Sequence, residues 1–462
     1  MKKYDVIVIG SGAGLFLVNR SISQGLSVAL VDRGPLGGTC LNLGCIPSKM
    51  LILPADRIME IREAARLGIY AKIEEIDFTA IMDRMRNTIS ADRVAIRENM
   101  NQIAGLDFYE EEARFVDKHV LEVAGERIKG RKIFITSGAR PLIPLIKGLE
   151  KAAYHTNETV LDLKMRPESL IIIGGGYIAA EYGHFFSAMG TQVTILQRGK
   201  RLIKDEEPII SALLEKQMAE RMNIQTDMEA VEVSSGENIY RVVAGDNNTG
   251  AAKEFFAEKL LVAAGRKSNA DLLMVENTGV QTDEKGFIVV DEYLETTAKD
   301  IFALGDAVGR QMFRHAANYE AELAWENSIH GAKIKMNFHE VPHAVFTYPQ
   351  IASVGLTEAA AEKLYDDVLV GFARFRDVAM GEAMMEENGF AKAVVQKGTG
   401  TILGFHIIGP QASILIQEVV NAMADGHTAI LILKSMHIHP ALSELIQTAI
   451  ENLQEPEHQS DF

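Results

Sequence analysis

Apolar positions along the chain follow two rhythms. Short, nearly unbroken apolar runs at residues 4–10, 27–31, 169–173 and 192–196 predict strands buried on both faces of a parallel sheet. The first and third of these runs end in glycine-rich turns, after which a helix is expected. Near the C-terminus Leu442, Leu445, Ile446, Ala449, Ile450 and Leu453 recur at helical spacing. They predict a helix opening at Pro440, a residue suited to a first turn, with His439 just before it. Strand, turn, helix and strand appear twice in the same order, so the expected fold class is α/β with two Rossmann-like dinucleotide-binding units.

The first turn reads Gly10-Ser11-Gly12-Ala13-Gly14. Glycines there permit a tight turn and close approach of backbone to a pyrophosphate, which then sits at a helix N-terminus. Asp32, at the end of the next strand, can accept hydrogen bonds from a ribose diol. The third glycine of G-x-G-x-x-G would fall at position 15, where Leu15 stands; Gly14 comes one residue early and predicts looser packing of helix on sheet. The second turn, Gly174-Gly175-Gly176-Tyr177-Ile178-Ala179, lies 164 residues further on and keeps G-x-G-x-x-A. Its following strand ends in Gln197-Arg198, with Lys200, Arg201 and Lys204 close behind. An acid would repel a 2′-phosphate whereas arginine pairs with it bidentately, so this unit is expected to favour NADP(H) over NAD(H). Two dinucleotide units in one chain imply electron transfer between two carriers.

With 462 residues, 47% of them hydrophobic and 24% charged, the chain has material for about three packed domains. Its 47 basic against 63 acidic residues give a net charge of -16, which repels a phosphate backbone, so no nucleic-acid partner is expected. No apolar run approaches the roughly 18 residues of a membrane span. The N-terminus carries no cleavage-site pattern, and a cytoplasmic protein without a membrane partner is expected. The only cysteines, Cys40 and Cys45, are too few for a disulfide-stapled fold or a four-thiolate zinc site, and no metal centre is expected. Beside a nucleotide-binding strand they indicate redox chemistry. Pro47 fits the first turn of a helix, which puts Cys45 at the N-terminal end, where the dipole and Lys49 favour a thiolate. His439, with Glu444 to orient it, has the make-up of a general acid and base near neutral pH.

The segment Gly37-Gly38-Thr39-Cys40-Leu41-Asn42-Leu43-Gly44-Cys45-Ile46-Pro47-Ser48-Lys49 resembles the redox motif of the class I FAD-dependent pyridine nucleotide-disulfide oxidoreductases. Thr136-Ser137-Gly138-Ala139-Arg140-Pro141, Gly265-Arg266-Lys267-Ser268-Asn269 and Ile301-Phe302-Ala303-Leu304-Gly305-Asp306-Ala307 resemble further segments of that family, and His439-Pro440-Ala441-Leu442-Ser443-Glu444 its H-P-x-x-S-E motif. The resemblance implies that the first unit binds FAD through Gly10, Gly12, Gly14 and Asp32. Gly38, Thr39, Lys49 and Gly138 join them, and Asp306 meets the ribityl-pyrophosphate region. It implies that the second unit takes NADP(H) or NAD(H) through Gly174, Gly176, Ile178, Arg198, Lys204 and Gly265. Tyr177 then gates the nicotinamide face of the flavin. The implied catalytic set is Cys40, Cys45, Lys49 paired with Glu181, and His439 with Glu444, the histidine reaching the disulfide of the other subunit across a homodimer. His437 is expected to be structural.

The same resemblance implies an FAD domain from residues 1–147 and 268–338, an NAD(P) domain over 148–267, and a C-terminal α+β dimerisation domain over 339–462. Gln350 stands where the family commonly has Glu, and a polar tail is expected after Gln454. The implied reaction passes two electrons between NAD(P)(H) and a thiol or disulfide through FAD, with Cys45 nearest the flavin and Cys40 exchanging with the substrate. Dihydrolipoamide dehydrogenase, acting on a lipoyl group of a carrier protein, is one implied type. An NADPH-dependent reductase of small disulfides, of the mycothione or glutathione reductase type, is another. An NAD(P)H oxidase or diaphorase that keeps the thiols as a switch is the reading from a different class. No N-terminal C-x-x-C and no C-terminal cysteine pair is present, which disfavours mercuric reductase and the large thioredoxin reductases.

Overall fold

The computed structural model describes residues 1–236, 239–426 and 428–456. The apolar run at the N-terminus forms the strand Lys2–Ile9, the centre of a seven-stranded sheet. It pairs in parallel with Val28–Val31 on one side and Glu126–Ile135 on the other. Four consecutive side chains from Val6 to Ile9 are buried, as a strand covered on both faces requires. Glu126–Ile135 is long enough to serve two partners. Its first half pairs antiparallel with Val120–Val123, and its last three residues pair in parallel with Ile301–Ala303, so the chain returns to this sheet after an excursion.

That excursion is a second layered unit. Ser169–Ile173 lies between Gln192–Leu196 and Lys259–Val262 in a four-stranded parallel sheet. An antiparallel ribbon of three strands, Met228–Ser235, Tyr240–Asp246 and Ala252–Ala257, is inserted before the last of these strands. The two crossings between units run side by side, with Ala139–Pro141 antiparallel to Arg266–Ser268. The last unit is a five-stranded antiparallel sheet beginning at His343–Val345, packed under the helices Ala412–Ala424, Ala429–Lys434 and Glu444–Glu451. Two Rossmann-like units and a C-terminal α+β unit match the expected fold class.

Buried polar groups pin the second unit to the third. The Lys392 ammonium, 3% exposed as a residue, lies between the carboxylates of Glu207 and Glu358, with Glu207 Oε2 2.8 Å away. Arg221 donates to the carbonyl of Tyr348 at 3.0 Å and to Nδ1 of the buried His184, whose Nε2 faces Asp56 at 2.8 Å.

Two local expectations need correction. Gly14 does not loosen the first helix: it opens Gly14–Ser23 and is buried, and a Cβ there would lie 2.5 Å from Thr136 Oγ1 and 2.7 Å from Val8 Cγ1. The early glycine is therefore the point of closest helix–sheet packing. The C-terminal helix spans Glu444–Glu451, four residues later than Pro440 promised. The amides of Leu445 and Ile446 close three-residue turns onto Leu442 and Ser443, so the apolar spacing begins in turns rather than in helix. Beyond Gln454, which bridges to Val370, the expected polar tail from residue 457 lies outside the described residues.

Candidate functional site

A cleft of about 1180 Å³ opens between the first two units. Its floor is the strand-to-helix turn of the first unit. Gly10 has a φ of +105°, and a Cβ on it would lie 2.3 Å from the carbonyl oxygen of Thr136. Gly38 (φ +68°) faces Gly12, whose Cα would lie 2.7 Å from a Cβ on Gly38. A side chain at either place would collide with the backbone that shapes the turn, so both positions require glycine. Asp32 accepts from the amides of Ser11 and Gly34, which fixes the carboxylate at the cleft rim with lone pairs to spare. Thr39, Gly138 and Asp306 also line the cleft. Asp306 sits in the turn Gly305–Ala307, where burial pushes its carboxyl up against the pull of Arg266, 3.4 Å away. Among the described residues two buried polar atoms on this wall have no hydrogen-bond partner, Ser137 Oγ and Arg266 Nε, the latter held only by its ion pair with Asp306. Buried donors are normally satisfied, so these two fit a polar ligand lying along the wall.

The two cysteines sit at mid-cleft. Cys40 lies in the short helix Gly38–Asn42, and Cys45 is the first residue of Cys45–Glu63, with Pro47 in its first turn as expected. Each thiol is the largest influence on the other's ionisation, Cys40 acting as the donor side of a thiol–thiolate bond. That bond is the main reason the Cys45 thiol is pulled down to about 7; Lys49 helps, while burial and Glu181 oppose. The same bond and burial push the Cys40 thiol up, with Arg314 opposing. Sequence reasoning credited the helix end and Lys49, but the larger cause is the neighbouring sulfur.

Lys49 reaches across to the second unit. Its Nζ lies 2.8 Å from both oxygens of Glu181 and 4.4 Å from the centre of the Phe346 ring. Glu181, 8% exposed, also accepts from the Phe346 amide. Tyr177 and Ile178 open the helix Tyr177–Ala188 and line the same cleft.

The remaining expected residues lie elsewhere. Gly174 (φ +124°) would drive a Cβ to 2.2 Å from the carbonyl of Ala263, so the second turn also demands glycine, and Gly176 beside it has open space. Gly265 (φ +132°) holds the crossing strand through its carbonyl and the Leu142 amide. Arg198 and Lys204 are exposed and make no ion pair among the described residues. His439 and Glu444 do not line the cleft. The histidine is 71% exposed, its Nδ1 2.9 Å from Glu444 Oε1, while Glu444 Oε2 accepts the Ala441 amide. His437 is buried against Glu418 at 2.7 Å, and Gln350 accepts from Ser413.

Sequence reasoning missed the residues gathered around Tyr177. Phe313 and His343 both stack on Tyr177, and Arg314 at the start of Arg314–Trp325 is a cationic cleft residue. Only the polar His343 within an otherwise apolar strand could have drawn attention. Among the described residues no group of three or more His, Cys, Asp or Glu could hold a metal ion, and no helix is long and apolar enough to cross a membrane.

A dinucleotide cleft that carries a thiol pair on its floor defines a flavin-linked disulfide oxidoreductase. Residues 4–321 match the pyridine nucleotide-disulphide oxidoreductase family and residues 341–450 its dimerisation domain, and the chain belongs to that family. It is 36% identical to mycothione reductase of Mycobacterium tuberculosis over 98% of this chain and 100% of that protein. It is 32% identical to dihydrolipoyl dehydrogenase of Bacillus subtilis, covering 97% and 96% of the two chains. Among solved structures, the Cu(II) complex of the HOCl-induced flavoprotein disulfide reductase RclA from Escherichia coli superposes with a TM-score of 0.86 at 27% identity, covering 98% and 99%. The family is FAD-dependent and uses NAD(P)H, and its dimerisation domain supports a homodimer.

Proposed function

We propose that the protein is an NADPH-dependent reductase of a small disulfide. The observation that carries this reading is the basic pair Arg198 and Lys204, exposed and unpaired beyond the strand Gln192–Leu196, where a carboxylate would repel a 2′-phosphate. The length and identity of the match to mycothione reductase support the substrate class. Dihydrolipoamide oxidation is the second reading, favoured by the match to dihydrolipoyl dehydrogenase.

FAD, held by Gly10, Gly12, Gly14, Asp32, Gly38, Thr39, Gly138 and Asp306, would supply two-electron exchange between nicotinamide and thiols. Lys49, tied to Glu181, keeps a positive charge beside Cys45, and Cys45 holds the thiolate near neutral pH. As its proton passes to the imidazole of His439 of the partner subunit, Cys40 attacks one substrate sulfur and breaks the substrate disulfide. The leaving thiolate takes its proton from His439 of the partner subunit, which Glu444 orients. The Cys45 thiolate then attacks the Cys40 sulfur of the mixed disulfide, forming Cys40–Cys45 and releasing the second product as a thiolate. Exposed apolar side chains at Ile46, Leu53, Ile414, Ile430, Met436 and Ile438 support a paired state that would bring His439 to a partner's cleft.

The test is a steady-state comparison of NADPH with NADH against mycothiol disulfide, glutathione disulfide and lipoamide. NADPH should win by at least about tenfold in kcat/KM, or about 1.4 kcal/mol, and Arg198→Glu should abolish that margin. A tenfold advantage for NADH with wild-type protein would overturn the coenzyme assignment.

A further inference from the structure

Three units converge on Tyr177. Its ring, at the start of the second unit's first nucleotide helix, stacks on Phe313 at 6.1 Å and 26° and on His343 at 5.9 Å and 22°. Phe313 and His343 are themselves parallel within 7° at 5.5 Å, and His315 also stacks on Phe313, at 5.6 Å and 9°. Phe313 precedes the helix Arg314–Trp325 of the first unit, whereas His343 begins the sheet of the third. Stacked rings gain energy beyond the area they bury, but only while their relative positions are held.

What holds His343 is a buried acid. Its Nε2 lies 2.6 Å from Glu206 Oε1, and Glu206, 3% exposed, also accepts from Ser353 Oγ at 2.7 Å. Burial pushes the Glu206 carboxyl up, yet the bonds from His343 and Ser353 win and hold it below its usual range. Glu206 follows Lys204 by two residues, so the basic loop of the coenzyme unit and the ring beside Tyr177 share one short tether.

We propose that His343, tethered by Glu206, is a positioning residue that forms with Phe313 the seat on which Tyr177 rests at the cleft mouth. A nicotinamide ring entering that mouth must lift Tyr177 off its seat, so the seat sets how much coenzyme binding energy is spent on opening. This rests on reading Tyr177 as the gate of the coenzyme site.

The experiment titrates the holoenzyme with NADP+ and follows turnover with NADPH. His343→Gln keeps a hydrogen-bond donor for Glu206 but removes the ring, and Phe313→Leu removes the other half of the seat if that variant proves too unstable. Either should tighten the NADP+ Kd about two- to tenfold, the span expected for losing one aromatic contact. The rate at which the dithiol, once reduced, passes electrons to the disulfide should not change. In a Tyr177→Ala background the His343→Gln effect on Kd should vanish, because no ring is left to seat. An unchanged Kd in both ring-deleted variants, or an equal shift with and without Tyr177, overturns the proposal. If Tyr177→Ala alone leaves Kd untouched, the gate reading itself fails and takes the seat with it.

Discussion

Cys40→Ala isolates the interaction that most strongly lowers the Cys45 thiol. In the intact protein that thiol titrates at about 7 against an ordinary value of 9.0. The bond from Cys40 is the leading cause, and only Lys49 and a backbone amide remain to oppose burial and Glu181 once it is gone. A thiol titrating near 7 is about half ionised at pH 7. If the deletion raises it by about one unit, roughly one-tenth is ionised, and the thiolate-dependent rate falls about fivefold. At a pH well above both values the two proteins should react alike. The assay is pulsed alkylation of prereduced holoenzyme with iodoacetamide from about pH 5 to pH 10, with the Cys45 peptide quantified by mass spectrometry. Linkage gives a second check. A folded pKa below the unfolded one stabilises the protein above about 9, and that contribution disappears as pH falls through about 7, so Cys40→Ala should flatten this part of the stability profile. A Cys45 midpoint that stays at or below 7 in Cys40→Ala would refute the assignment and hand the role to Lys49.

Three other substitutions test separate parts of the molecule. His439→Gln alters a side chain that is 71% exposed, so stability should stay within about 0.5 kcal/mol while disulfide turnover drops at least about a hundredfold; equal turnover would remove the histidine from the mechanism. Glu320→Gln removes a buried carboxyl that accepts the Gly305 amide and is raised to about 7 by burial, with Asp306 adding to it. Its contribution to stability is present below the ordinary value of 4.5 and lost as pH rises through about 7, so the variant should melt higher than wild type above pH 7 and no higher at pH 4. Lys392→Met leaves Glu207 and Glu358 without their shared cation and should cost about 3–5 kcal/mol by urea unfolding; a loss below about 1 kcal/mol would show that water reaches the site.

The two nucleotide turns and the thiol helix were legible because each depends on local rules. A buried strand needs a run of apolar residues, a tight turn needs glycine, and Pro47 suits an early helical position, where its missing N–H costs little. Gly14 shows where such rules stop. The motif spacing predicted looser packing, but Val8 and Thr136 close in from a strand and a turn far apart in sequence. The ring stack around Tyr177 was invisible for the same reason, since Phe313 and His343 are 136 and 166 residues away along the chain. Pro440 misled because proline is equally at home in the turn that precedes a helix. Nor could spacing reveal that His439 lies outside its own chain's cleft, as that follows from how the last sheet is placed.

Lys392 and Arg221 fasten the second unit to the last sheet at two separate points, each through charges withdrawn from water. A clamshell motion of that unit would tear both fastenings open and strand ions in the interior, a far steeper climb than turning one phenol ring about its own bonds. The second unit and the last sheet are therefore expected to move as one body, and crosslinking them to one another should leave turnover intact.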